Sequence, residues 1–211
     1  MAGLIDLIDD DRTAIDAIGV YLDGLDGEHR WLEVSQLDRD RQRTLYEKAA
    51  HAPPIEIAYF VGAAGPRQEV IHDGINTLRV AAKYKRFQKR FCRPEPNGHG
   101  ALDVRLFGYN EGPSRRFIGP GFFVAVPTAE RPTWSARGGV VVDYYQVPDG
   151  AVAEGWPRVV DNHWRLQRFV YHETRDFMRR VSREVSIGAA FKRERPLDHY
   201  FALCRRSSAA A

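Results

Sequence analysis

Residues 115–148, "RRFIGPGFFVAVPTAERPTWSARGGVVVDYYQVP", contain the strongest indication of the fold class of this chain. They hold two runs rich in Val, Phe and Tyr, which predict strands over 115–127 and 139–148. The connection between them, residues 128–138, contains no helix of crossover length, so the two strands are expected to pair antiparallel. The Gly-Pro-Gly break at 119–121 predicts a bend or bulge in the first strand.

Short runs of the same kind recur on both sides of this stretch. They predict strands over 55–62, 101–110 and 165–172, and two more within 185–206. Residues 69–80, "EVIHDGINTLRV", predict a hairpin with Asp73-Gly74 as its two-residue turn. Because these strands follow one another without long helices between them, they are typical of an antiparallel sheet.

Helical signals lie mainly in the first fifty residues. Thr13 with Asp16 resembles a capping box, and Ser35 with Asp38 suggests a second helix start. Two later helices are also predicted. One covers 174–185, and the other covers 80–91, where one helical stripe contains Val80, Tyr84, Phe87 and Phe91.

These patterns predict an α+β protein. An amino-terminal helical pair is followed by a curved antiparallel sheet or barrel with one or two packed helices. We expect residues 1–52 to form a helical segment packed on a main domain of residues 53–206. Residues 207–211, "SSAAA", are expected to be a disordered tail.

Composition bounds the class of protein. The chain has 211 residues, of which 44% are hydrophobic and 28% charged, as in an ordinary soluble globular protein. No apolar run approaches the roughly 18 residues of a membrane-spanning helix. The first residues lack the positive region of a signal peptide, so we expect a cytoplasmic protein that does not bind membranes.

Charge is unevenly spread although the net charge is only +3. Residues 1–50 carry twelve acids and six bases, whereas residues 79–93 carry seven bases and no acid, and residues 165–206 are also basic. The two basic segments keep nucleic-acid binding open as an alternative. The modest net charge and the aromatic stripe on a buried helix face make it the weaker one, and the acidic helices could cover the basic segments instead.

Charged and polar groups on apolar strand faces indicate candidate sites. Asp143 shares a face with Val141 and Tyr145, so it is expected either to pair with an arginine or to line a cavity and exchange protons. His172 lies at a predicted strand-to-helix junction and is the best candidate for a second proton-transfer group. The residues predicted to bind a ligand are Arg105, Tyr109, Tyr145 and Tyr171.

Other chemistries have little support. The two cysteines and seven histidines show no zinc spacing, so we expect no metal site and no cofactor. Cys92, Cys204 and His199 are interpreted as packing residues.

The sequence therefore predicts a small-molecule site inside a curved sheet. The ligand would be organic, with an anionic group or an aromatic ring as open options. The protein would be either a binder or a metal-independent acid/base enzyme, with residues 148–163 as a candidate lid. A protein-interaction or structural domain is the alternative, and self-association stays open.

Overall fold

A computed structural model describes residues 3–96, 104–164 and 166–206 of the chain. The predicted tail 207–211 lies outside the described residues, as does part of the predicted strand over 101–110. The protein is α+β. Eight antiparallel strands pair in chain order and close into a barrel: β1 (Val70–Asn76), β2 (Arg86–Cys92), β3 (Leu106–Glu111), β4 (Phe123–Pro127), β5 (Val140–Asp143), β6 (Thr174–Arg180), β7 (Val185–Lys192) and β8 (Arg195–Arg205).

Closure joins the first strand to the last. In the β1–β8 ladder, Gly74 lies opposite Leu203 and Ile75 lies opposite Ala202. Because every strand then has two neighbours, the sheet has no unpaired edge.

One end of the barrel is closed by the segment that precedes β1. Its short 3-10 helix, Ile57–Phe60, places Phe60 against Phe91 with ring centroids 4.9 Å apart. The His72 imidazole is fully buried beside them and bonds to the Phe60 carbonyl at 2.9 Å. Residues 55–62 are thus a plug, and the prediction of a strand there was wrong.

Four helices cover one outer face of the barrel. They are α1 (Leu4–Asp9), α2 (Ile15–Asp23), α3 (Gly27–Ser35) and α4 (Arg39–Lys48). The carboxylates of Asp26 and Asp38 cap α3 and α4 by accepting backbone N–H bonds. The apolar faces of the four helices share a core with the outward side chains of β1, β7 and β8.

Three further helices are short and lie between strands. They are α5 (Arg115–Ile118), α6 (Pro132–Ser135) and α7 (Gln167–Val170).

The structure reverses the predicted secondary structure in two neighbouring segments. Residues 165–172 were expected as a strand but hold α7, and residues 174–185 were expected as a helix but hold β6 and its turn into β7.

The predicted helix over 80–91 is also wrong, because β2 occupies the second half of this segment and only a short 3-10 helix, Ala82–Tyr84, lies in the first. Its aromatic residues satisfy helical spacing, but Phe87, Lys89 and Phe91 also alternate at the period of a strand. Pairing with both β1 and β3 decides in favour of the strand.

Asp73-Gly74 is not a turn either, because both residues lie within β1. A Cβ on Gly74 would come within 2.6 Å of the Phe87 ring. The glycine therefore allows a close approach inside the barrel instead of a reversal of the chain.

Candidate functional site

A cavity of about 150 Å³ lies inside the barrel at the end opposite the plug. It is reached where β1, β3, β5 and β7 end and where β2, β6 and β8 begin. Phe87, Phe201, Leu197, Ile118 and Val170 give much of its wall an apolar character. An engineered cavity of about this volume holds a benzene molecule, so the space suits a small organic ligand or part of a larger one.

Three glycines make space for three phenylalanine rings in the barrel interior, two of which, Phe87 and Phe201, line the cavity. A Cβ on Gly108 would lie 2.3 Å from the Phe123 ring, and one on Gly188 would lie 2.3 Å from the Phe201 ring. Gly74 makes the corresponding space for Phe87. The absence of side chains at these glycines therefore lets the phenylalanine rings pack across the barrel interior.

A buried polar network lies at the base of the cavity. Lys89 of β2 donates to Asp176 of β6 at 3.0 Å and to Asn110 of β3 at 3.2 Å. The Tyr144 hydroxyl, just after β5, contacts the Lys89 ammonium and lies 3.2 Å from the Asp176 carboxylate. The Lys89 and Asp176 side chains are only 2% and 8% exposed, so solvent water contributes little to their solvation.

Burial shifts the titration of every ionisable group in this network. It lowers the pKa of Lys89, an effect that the Asp176 carboxylate opposes. It raises the pKa of Asp176, again against the attraction of Lys89, and it raises the pKa of Tyr144 well above its ordinary value. Burial therefore reduces the stability of the ion pair relative to the neutral amine and carboxylic acid.

Aromatic rings surround the Lys89 ammonium. It lies 4.8 Å from the centroid of Phe201 and 4.9 Å from that of Phe123. These rings offset part of the lost hydration by cation–π attraction.

Several polar side chains in the cavity lining have no hydrogen bond from another described residue, and two of them lie at its mouth or beside the network. The Tyr171 hydroxyl is one, and its ring stacks on Tyr144 with centroids 5.2 Å apart. His199 is the other, and partial burial lowers its pKa, so the neutral imidazole is favoured. Both side chains can therefore bond to a ligand.

The Gly-Pro-Gly segment explains how Tyr171 is held. Gly121 has a φ of +53° and passes so close under Tyr171 that a Cβ would meet its ring at 2.5 Å. The Gln167 side chain of α7 accepts a bond from the Gly121 N–H at 2.9 Å. The segment is not a bulge within a strand as predicted, but a link between α5 and β4 that supports the mouth of the cavity.

The structure brings one of the six predicted site residues to the cavity, which is Tyr171. Asp143 lies on the outer side of β5, where its carboxylate is 3.2 Å from Arg175 Nε and accepts from the Tyr145 N–H. Tyr145 itself is 44% exposed on that outer side. Neither residue is among the cavity lining.

The other three predicted residues are also absent from the cavity lining. Arg105 pairs with Asp149 at 3.0 Å, and Tyr109 packs on the outside of the barrel against Trp156. His172 follows α7, with its ring 6.3 Å from that of His163. The roles assigned to these residues stay predictions, and their positions do not form one constellation.

Four residues of the buried network were not among the predicted site residues: Lys89, Asn110, Tyr144 and Asp176. A signal was present in β2 and β6, where Lys89 alternates with two phenylalanines and Asp176 alternates with Thr174 and Met178. A charged residue between inward apolar neighbours indicates a buried charge once the segment is recognised as a strand. His199 was interpreted as a core residue, but it lines the cavity.

The described residues contain no group of three or more His, Cys, Asp or Glu side chains placed to hold a metal ion. None of the described helices has both the length and the apolar content needed to cross a membrane. No protein-family model, curated protein or solved structure matches the chain.

Proposed function

We propose that the protein binds a small, uncharged organic molecule with a carbonyl or hydroxyl oxygen inside the barrel. The observation that carries this proposal is a cavity with an apolar wall and a buried polar base. Lys89, Tyr144 and Asp176 lie at that base, and the free Tyr171 hydroxyl is beside them. Ligand sites in barrels commonly combine such a wall with a few converging polar groups.

The charge of the base favours an uncharged ligand. The Lys89–Asp176 pair has no net charge, either as an ion pair or as the amine and carboxylic acid that proton transfer produces. A ligand carboxylate would add an uncompensated charge to this buried site, and its desolvation would oppose binding. A carbonyl oxygen can instead accept a bond from Tyr171 or Tyr144, while an aromatic or aliphatic body contacts the cavity wall.

Nucleic-acid binding has less support from the basic segment 79–93. Lys89 points into the barrel, and Arg90 pairs with Glu69 at 3.1 Å. The Arg93 guanidinium donates to the Ala64 and Gly62 carbonyls. These contacts use part of the positive charge within the protein, so the segment does not present its seven bases as one continuous patch.

Binding can be tested with three probes of one size: benzyl alcohol, benzaldehyde and benzoate. We expect amide shift changes in nuclear magnetic resonance spectra to cluster on strand residues around the cavity for the first two probes. Their Kd is expected on the order of 1 mM or below, with benzoate weaker.

A cavity-filling variant provides the matched comparison. Ala190 of β7 lines the cavity, so Ala190→Phe should abolish binding of benzyl alcohol. Ala17→Phe makes the same change on the exposed side of α2 and should leave binding intact. Equal binding to both variants, or no binding of the alcohol and aldehyde to the unmodified protein, would refute the proposal.

A further inference from the structure

We propose that Lys89 is a nucleophile that captures the carbonyl group of an aldehyde or ketone as an imine. This inference rests on the proposed function, since the carbonyl compound must first occupy the cavity. It adds a covalent step to binding and names the substrate class.

The position of Lys89 provides the first argument. Its amine lies at the base of a cavity with apolar walls, and Tyr171 lies where a ligand oxygen could be held. The other described residues within hydrogen-bond reach of the Lys89 amine are Asn110, Tyr144 and Asp176. A bound carbonyl would therefore meet the amine in an environment that excludes most water, which favours the imine over its hydrolysis.

The network also supplies a neutral amine without any external base. Transfer of one proton from the Lys89 ammonium to the Asp176 carboxylate, over 3.0 Å, gives an amine and a carboxylic acid. Burial favours this neutral pair, since it lowers the pKa of the lysine and raises that of the aspartate. The Tyr144 hydroxyl can turn toward Asp176, at 3.2 Å, and leave the nitrogen lone pair free to attack.

The reaction balances with water as its only by-product. The Lys89 nitrogen forms a bond to the carbonyl carbon while the π bond of the C=O group breaks. The oxygen takes a proton from the Tyr144 hydroxyl while that hydroxyl takes the proton of the Asp176 carboxylic acid, 3.2 Å away, and the resulting carboxylate removes one proton from the nitrogen. The nitrogen lone pair then forms the C=N bond as the carbinolamine hydroxyl leaves as water with that proton, and the protonated imine gives its last proton to the carboxylate.

Stabilisation of the fold does not explain why a buried ion pair occupies these positions. Apolar residues of similar volume often match or exceed the stability of such a pair. In β2 the neighbouring inward residues are phenylalanines, so an apolar side chain at position 89 would extend the apolar interior of the barrel. Ionisable groups with pKa values shifted by burial, when they lie in a cavity, are candidates for chemistry.

The test is reductive trapping of the intact protein with benzaldehyde and sodium cyanoborohydride, followed by peptide mapping. We expect one adduct per chain on Lys89, forming faster than any adduct on the exposed Lys83. Benzyl alcohol occupies the same cavity but cannot form an imine, so it should slow the labelling of Lys89 and leave that of Lys83 unchanged.

Two tyrosine variants separate proton transfer from packing. Tyr144→Phe keeps the ring but removes the hydroxyl, and it should slow imine formation at Lys89 by about 100-fold, the usual size of a general acid–base effect. Tyr21→Phe makes the same change on α2, outside the barrel, and should leave the rate unchanged. The Tyr144→Phe effect should also depend on pH, which a merely structural loss would not produce.

The outcomes distinguish this inference from the proposed function. If benzaldehyde and benzyl alcohol bind in the cavity but Lys89 is trapped no faster than Lys83, the inference is wrong and the binding function stands. If neither probe binds, both fail. Undiminished trapping in Ala190→Phe would also overturn the inference, because the carbonyl would then reach Lys89 without using the cavity.

Discussion

Replacing Lys89 with Met should destabilise the fold by an amount that depends on pH. The substitution conserves much of the side-chain volume but removes the cation that lies 3.0 Å from Asp176. The buried carboxylate then keeps Tyr144 as a hydrogen-bond partner but has no opposite charge beside it within the network. Because an unpaired buried charge is costly, Asp176 should become protonated in the folded variant.

The magnitude follows from the cost of that protonation. An unfolded aspartate has a pKa of about 3.9, and each pH unit above it adds about 1.4 kcal/mol to the cost of keeping the proton. At pH 7 the folded variant therefore loses about 4 kcal/mol, which agrees with the 3–5 kcal/mol typical of a broken buried pair.

The sign of the pH dependence distinguishes this mechanism from a simple packing defect. The pKa of Asp176 in the folded variant is raised above its unfolded value, so the folded state binds the extra proton. The stabilising effect of that proton is complete below pH 4 and is lost as pH rises toward the folded pKa. Between pH 7 and pH 5 the variant should regain about 3 kcal/mol relative to the unmodified protein, in which the pair keeps one proton in both states.

Urea denaturation at pH 5, 6, 7 and 8 measures these free energies. Lys85→Met, the same change just before β2 and outside the barrel interior, is the control and should shift stability by less than about 0.5 kcal/mol. The double variant Lys89→Met with Asp176→Leu should recover to within about 1 kcal/mol of the unmodified protein. A loss below about 1 kcal/mol at pH 7 with no pH dependence would refute the view that Asp176 is isolated from water.

Three further outcomes are expected. Gly108→Ala should lower stability by about 1–3 kcal/mol in thermal denaturation, because its Cβ would lie 2.3 Å from the Phe123 ring, whereas Gly65→Ala meets no atom within 4 Å and should be neutral. Burial lowers the pKa of His72 to about 4, so the protein should lose about 3 kcal/mol as pH falls from 6.5 to 4, and His72→Phe should flatten that part of the urea-derived stability profile; equal slopes would contradict this. Burial raises the pKa of the Cys92 thiol to about 11, so the native protein should react with a disulfide reagent at pH 8 far more slowly than the urea-unfolded chain, and equal rates would show that the site opens.

Local chemistry in the sequence was sufficient where one residue type controls a structure. A helix start was predicted from Ser35 with Asp38, and Asp38 is the residue that caps α4, whereas Ser35 is the last residue of α3. Gly24 ends α2. The predicted strand over 139–148 contains β5, and its short connection to β4 gives the antiparallel pair that the fold class depended on. Capping and short connections act within a few residues, so the chain encodes them directly.

Local chemistry was insufficient where two structures satisfy the same pattern. Phe87 and Phe91 fit one side of a helix and one side of a strand equally well. The Asp73-Gly74 pair suits a turn, but it also suits a strand in which the glycine makes space for Phe87. In each case pairing with a neighbouring strand selects the secondary structure. A local pattern does not show which strand that neighbour is.

Local patterns in the sequence were enough to predict an antiparallel α+β protein with helices at its amino-terminal end, and they favoured a ligand site inside a curved sheet. Which side of each strand faces the interior follows from the closed barrel, because closure joins β1 to β8 and fixes the register of every ladder. That register brings Lys89 to Asn110, 21 residues away, and to Asp176, 87 residues away. A local pattern predicts charged groups in a sheet. Which of them meet depends on contacts around the whole barrel, because the paired residues are far apart in the chain.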